Sequence, residues 1–314
     1  MTAQSVLFDL GGVLIGWEPS RAFAQVLDPS LVEEFMTRID FPAWNRNHDA
    51  GRTFASGEQD LLTRFPADEA AILAYRRHFG LTLTGLVPGT GAVLAELQQA
   101  GVRCAALTNW SAETFPVAQQ RFGLLRRFVG VLVSGEERLA KPDPAIFTLA
   151  LQRFGLDAGS CVFVDDSPAN VEAASALGLI GLHFTDADRL RADLEGLGLL
   201  GPRRLPAEPV LHLTEKGVWR QAQAAGHYPW SGRGKTYESE GFVHAGFADQ
   251  VAATRQRKYG DLADEALVVL ELDPQRLSVP VVVEDLGAGP FPHLYGPLPV
   301  AEVVAEHPVS PFAR

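Results

Sequence analysis

The chain has two cysteines in 314 residues, Cys104 and Cys161, so no disulfide framework staples it. Each lies in an apolar, strand-like run (VRCAAL and CVFVDD), where a buried and inert thiol is expected. No apolar run is long enough to cross a bilayer, and the first residues lack a cationic start leading into a long apolar core. The expectation is a cytoplasmic protein with no membrane role. Positive charge is also scarce: 27 Lys and Arg face 38 Asp and Glu, a net charge of -11. From residue 209 onward the balance is 9 against 13, so both parts of the chain are acidic. Neither offers the basic surface that a phosphate backbone requires, which argues against nucleic acid as a partner. Repeats and low-complexity segments are missing too. What remains is a composition ordinary for a folded chain, 46% hydrophobic and 21% charged, at a length that favours two domains.

The first motif is VLFDLGGVL, residues 6 to 14. Val6, Leu7 and Phe8 read as a buried parallel strand, which puts Asp9 at the carboxyl edge of a sheet, where open α/β sheets bind ligands. Gly11 and Gly12 leave room for a sharp turn and for close approach of an anion to the backbone. A crossover helix is due next, yet roughly seventy residues intervene, far more than a connecting loop needs. They hold helix-like patterns (PSRAFAQVL, LVEEFMTRI, DEAAILAYRRHF) and a polar stretch, WNRNHDAGRTFASGE, that reads as irregular. The overdue crossover helix is then VPGTGAVLAELQQAG, stopped by Gly101. Strand and helix alternate from VRCAALTN to LIGLHF. The pattern predicts an α/β fold, a doubly wound parallel, Rossmann-like sheet with an inserted helical cap at about residues 16–88, the whole domain spanning 1–195. Gly and Pro accumulate over 196–209, the expected linker. Residues 210–314 mix strand-like and helical runs without alternation and predict a small α+β domain.

Polar groups recur at the strand ends. Thr108 and Asn109 close VRCAALTN, Asp165, Asp166 and Ser167 close CVFVDDS, and Lys141 precedes a helix in AKPDPAIF. Three carboxylates at one sheet edge repel unless a cation joins them, and an oxygen-only ligand set suits Mg²⁺. Thr108 and Asn109 have hydrogen bonds to offer a substrate's oxygens, and Lys141 is a point charge for a phosphate and for the nucleophilic carboxylate. An aspartate held against phosphorus is able to attack it.

The four motifs FDLGGVL, LTN, KPDP and VFVDDSPANVEAASALG, in this order, resemble those of the haloacid dehalogenase-like hydrolase superfamily with a helical cap after the first strand. The resemblance implies that Asp9 is the nucleophile, that Thr108, Asn109 and Lys141 bind the transferring group, and that Asp165 and Asp166 join Asp9 at a Mg²⁺ ion. It implies a small phosphorylated substrate. Gly11 departs from the pattern, because phosphatases of the superfamily usually carry a second aspartate there as general acid and base. Loss of such a group costs on the order of a hundred- to ten-thousandfold in rate. The chain is then a phosphatase that manages without it, a dehalogenase-type enzyme that needs neither acid nor metal, or a binder of phosphorylated ligands without turnover. The retained Asp165–Asp166 pair favours the phosphatase, since a metal-free site would leave that charge unneutralised. His48, Asp49 and Glu58, in the polar cap stretch, are candidates to replace the missing acid, although polar residues of a cap are ordinarily just solvated.

Beyond residue 209, His212 and His244 sit in strand-like runs, LHL and FVHAG, and His293 in PFPHLYGPL. SGRGKT is not a phosphate loop: its first glycine would fall on Pro229. The segments LHLTEKGVW, EGFVHAGFADQV, LVVLELD and FPHLYGPLPVAEV resemble a bacterial family known as domain of unknown function 952. The strand histidines are distantly similar to NAD-gripping positions of the ADP-ribosyltransferase fold. That similarity makes His212 and His244 ribose or nicotinamide contacts, with Glu284 or His293 near the reacting carbon. A ligand-sensing or protein-interaction module is the alternative.

Overall fold

The run Ser5–Phe8 is the middle strand of a five-stranded parallel sheet in the computed structural model of the chain, which describes residues 3–312. From edge to edge the strands are Val131–Val133, Arg103–Thr108, Ser5–Phe8, Cys161–Asp165 and Ile180–His183. Numbered along the chain, the order is three-two-one-four-five, with the direction of progression reversing between the first and fourth strands. Ser5–Phe8 is buried throughout, which explains its unbroken apolar sequence. Leu7, Leu107, Leu132 and Phe163 from the sheet pack with Ile146, Phe147 and Ala174 from the helices Pro144–Phe154 and Pro168–Ala176. Both cysteines are buried and free.

The chain leaves this sheet through Ile15–Trp17 and returns through Leu83–Leu86, two strands that pair antiparallel. Six α-helices lie between them. Three begin on capping side chains: Asp28 accepts from the Ser30 N–H (2.9 Å), Asp40 from that of Ala43 (3.3 Å) and Thr53 from that of Ser56 (3.3 Å). The stretch WNRNHDAGRTFASGE, expected to be irregular, supplies the body and end of the helix Phe41–Asp49 and the start of Phe54–Arg64. Trp44 and His48 stand four residues apart on one buried helical face and pack on Phe54 of the next helix, so three buried rings carry a sequence that otherwise reads as polar.

Two compact units emerge, Met1–Val87 with Gly101–Leu199, and Pro88–Ala100 with Leu200–Arg314. The helix Thr90–Gln99, expected to cover the parallel sheet, groups with the second unit, where Ala92 and Ala95 form a core with Phe242, Val282 and Tyr295. The two alanines give that helix a flat face on which aromatic rings close. The rest of the second unit is antiparallel. Val303–His307, Leu267–Leu272 and Val210–Glu215 form one sheet, and Val243–His244, Pro290–Leu294 and Val281–Asp285 another. The helices Lys216–Ala225 and Val251–Tyr259 complete a small α+β domain. Among the described residues no helix is long and apolar enough to cross a membrane.

Candidate active site

Asp9 follows the middle strand directly, and its N–H still bonds the Val164 carbonyl (2.8 Å), so the adjoining fourth strand fixes its place. Asp165 ends that fourth strand and Asp166 follows it. The reversal of strand order therefore brings together three carboxylates from distant parts of the chain, at the crevice where doubly wound sheets take ligands. Asp9, Asp165 and Asp166 each offer an oxygen within 4.8 Å of the others.

Lys141 is buried among them. Its Nζ lies 2.8 Å from Asp9 Oδ1 and donates to Asp165 Oδ2 (2.6 Å) and to the Leu107 carbonyl (3.1 Å). Burial alone would lower its pKa, but Asp9 and Asp165 reverse the effect and hold the ammonium charged. Asp165 also accepts from the Ser167 N–H (2.8 Å) and from Asn170 Nδ2 (3.0 Å). Asp9 is less well compensated. Burial, against the pull of Lys141 and with the push of Asp165 and Asp166, raises it to about 7. One ammonium facing three carboxylates leaves negative charge uncompensated, and that excess fits a divalent cation with oxygen ligands.

Asn109 does not reach into the site as an isolated donor. Its Oδ1 accepts from the Lys141 N–H (2.8 Å) and its Nδ2 donates to the Lys141 carbonyl (2.9 Å), so it clamps the backbone that carries the lysine. Thr108 Oγ1, in contrast, is buried with no hydrogen-bond partner among the described residues, an unmet donor at the end of the second strand. The two glycines also differ in role. Gly12 has φ +75°, and a Cβ there would stand 2.3 Å from Asp166 Oδ2; its bare backbone makes space for the carboxylate. Gly11 is outside the left-handed region, and a Cβ would meet nothing within 4 Å.

Of the three cap residues, His48 and Glu58 are structural. His48 Nδ1 donates to the Arg52 carbonyl (2.9 Å), its ring stacks on Phe54, and burial depresses its pKa. Glu58 is held by Arg76 through two bonds of 2.9 Å. Asp49 differs: burial and then the negative charge of Asp9 raise its carboxyl to about 7. Ser134, just past the third strand, anchors it. Ser134 Oγ donates to the Asp49 carbonyl (2.5 Å) and accepts from the Trp110 N–H (2.9 Å). Ser134 and Asn170 carry no motif signal of their own. Asn170 lies inside VFVDDSPANVEAASALG, five residues after the aspartate it serves, while Ser134 is visible only from the fold.

Residues 4–178 match the haloacid dehalogenase-like hydrolase family. The chain belongs to that family. Within it, a sesquiterpene phosphatase of Aspergillus oryzae is 26% identical over 198 residues, 59% of this chain and 92% of the relative. A phosphoglycolate phosphatase of Cupriavidus necator is 30% identical over 228 residues, 65% of this chain and 96% of the relative. A haloacid dehalogenase family enzyme of Bacteroides thetaiotaomicron shares the fold at TM-score 0.50 and 22% identity, over 59% of this chain and 95% of its own. Residues 213–306 match a family described as a protein of unknown function, DUF952. The haloacid dehalogenase-like hydrolase assignment thus covers the first unit's site, and the second unit's chemistry rests on its own residues.

There the four anticipated residues separate into two roles. His212 is buried with both ring nitrogens engaged, Nδ1 with the His244 carbonyl (2.6 Å) and Nε2 with Tyr228 Oη (2.8 Å). Burial lowers its pKa to about 4, and the neutral ring holds the strand that carries His244, which leaves no ring nitrogen for the ribose or nicotinamide contact expected of it. His244, Glu284 and His293 line a common cavity, which His212 also borders while its ring nitrogens stay engaged.

Proposed function

We propose that the first unit is a Mg²⁺-dependent phosphohydrolase acting on a small phosphorylated metabolite through an aspartyl-phosphate on Asp9. The observation that carries this reading is the gathering of three carboxylates around one buried lysine, at the reversal of strand order and beside the unpartnered Thr108 hydroxyl. The phosphatases among its relatives support phosphorus rather than a carbon–halogen bond as the electrophile. Asp9 attacks phosphorus through a carboxylate oxygen, the bond to the leaving oxygen breaks, and that oxygen keeps the electron pair. Lys141 orients Asp9, and Thr108 donates to a phosphoryl oxygen as charge develops there. A Mg²⁺ ion held by Asp9, Asp165 and Asp166 would supply positive charge to the transferring group. Water then attacks the phosphorus of the acyl phosphate, which releases inorganic phosphate and restores Asp9.

Gly11 provides no proton donor, and Asp49 takes that part. A carboxyl near pKa 7 is protonated often enough to give the leaving oxygen its proton and basic enough to take one from water. The test is turnover of a phosphate-ester panel by the full chain, with Mg²⁺ and with EDTA, alongside Asp9→Asn. Activity is expected with Mg²⁺ alone and is lost in the variant, which keeps the wild-type melting profile. Turnover of haloacids indifferent to EDTA, or phosphatase activity surviving in Asp9→Asn, overturns the reading.

A further inference from the structure

The second unit contains a cavity of about 450 Å³, of the size that small-molecule sites occupy. Its charge runs against that of its surroundings. From residue 209 onward the chain has 9 basic and 13 acidic residues, yet the lining includes four basic side chains, Arg233, Lys235, Arg257 and Lys258, against two acidic ones, Glu240 and Glu284. Arg233 is committed to Asp261 and Lys235 to Glu240, the latter at 2.7 Å. Arg257 and Lys258, successive residues near the end of the helix Val251–Tyr259, take part in no ion pair among the described residues. A net-acidic stretch that places four of its nine basic residues at one cavity selects an anion.

The inner wall is aromatic and polar at once. His244 stands opposite His293 on the neighbouring strand, their ring centroids 5.3 Å apart, and the His293 ring stacks on Phe242 at 3.9 Å. Phe291 adds another ring to the lining. Buried Glu284 accepts from His293 Nδ1 (2.9 Å) and from Tyr295 Oη. That bond fixes the His293 tautomer and turns its Nε2 into an acceptor, which has no partner among the described residues. The His244 ring also has no hydrogen bond there, the Glu240 carboxylate being 3.7 Å away. The occupant must therefore present an anionic group to Arg257 and Lys258, a flat face to the rings, and an N–H or O–H to His293. Inorganic phosphate meets the first requirement alone and a nucleoside only the other two.

We propose that this cavity binds a mononucleotide, its phosphate at Arg257 and Lys258 and its nucleoside against Phe242, His244 and His293. The proposal is independent of the phosphatase reading of the first unit. The test is calorimetric titration of AMP into full-length Asp9→Asn in EDTA, where neither turnover nor metal-assisted binding contributes. Saturable binding to one site is expected, about tenfold or more weaker in Arg257→Ala/Lys258→Ala and in His244→Ala, with melting temperatures unchanged. Thr108→Val, in the first unit, should leave the affinity as it is. Adenosine and inorganic phosphate should each bind at least about tenfold more weakly than AMP. Absence of AMP binding overturns the proposal. So does binding that Thr108→Val abolishes and the Arg257/Lys258 pair does not affect, since the nucleotide would then be in the first unit's site. Equal affinity for AMP and inorganic phosphate also overturns it, because the ring wall would then contribute nothing.

Discussion

Gly12→Ala should disable the site at small cost to the fold, and Gly11→Ala beside it should do neither. At φ +75° an alanine pays a left-handed backbone penalty of about 1–2 kcal/mol. That lowers the melting temperature by a few degrees, on the order of 2–4 °C per kcal/mol for a domain of this size. The larger effect is local. The new Cβ would lie 2.3 Å from Asp166 Oδ2 and 2.9 Å from its Cγ, so the carboxylate must move away from the place it holds beside Asp9 and Asp165. On the proposed Mg²⁺ site, displacing one of three carboxylates should lower Mg²⁺ affinity, by about tenfold for each 1.4 kcal/mol of binding lost. Gly11 has open space for a Cβ and ordinary backbone, so its alanine variant should bind Mg²⁺ like the wild type. The assay is calorimetric Mg²⁺ titration of wild type and both variants, with a melting curve for each. Wild-type Mg²⁺ affinity in Gly12→Ala, or a comparable loss in Gly11→Ala, refutes the reasoning.

Other consequences concern charge. Because Asp9 is raised to about 7, the metal-free folded state binds more protons than the unfolded chain between about pH 4 and 7 and loses stability as pH rises through that window. Mg²⁺ should therefore raise the melting temperature more at pH 8 than at pH 5.5; a pH-independent increment would count against the cluster. Lys141→Met leaves Asp9 and Asp165 buried without their cation, and should cost roughly 3–5 kcal/mol in chemical denaturation at pH 8, less at pH 5. Asp49→Asn should slow alkyl phosphate esters by on the order of a hundredfold while aryl phosphates, whose leaving groups need no proton, change little. Equal loss on both would assign Asp49 to positioning. Gly11 has ordinary backbone and open space for a Cβ, so Gly11→Asp should partly restore alkyl turnover in Asp49→Asn.

The parallel sheet, the helical cap and the residues Asp9, Thr108, Lys141, Asp165 and Asp166 were legible because their signals are local. A buried strand must be apolar, and a strand-end carboxylate interrupts it at a fixed offset. The hydrolase family of the first unit follows from the order of four such interruptions. The polar cap stretch offered His48, Asp49 and Glu58 alike, and only the fold singles out Asp49, whose carboxyl feels the charge of Asp9 and whose backbone is held by Ser134, 85 residues away in sequence. The clamp of Asn109 on Lys141 and the division of labour between Gly11 and Gly12 are likewise decided by what lies across the site. So is the grouping of Thr90–Gln99 with the second unit, where small residues on one helix face met aromatic rings far along the chain. Backbone patterns follow from neighbours a few positions away; burial, charge coupling and steric room arise between residues that only folding makes neighbours, and those set the geometry and charge of each site.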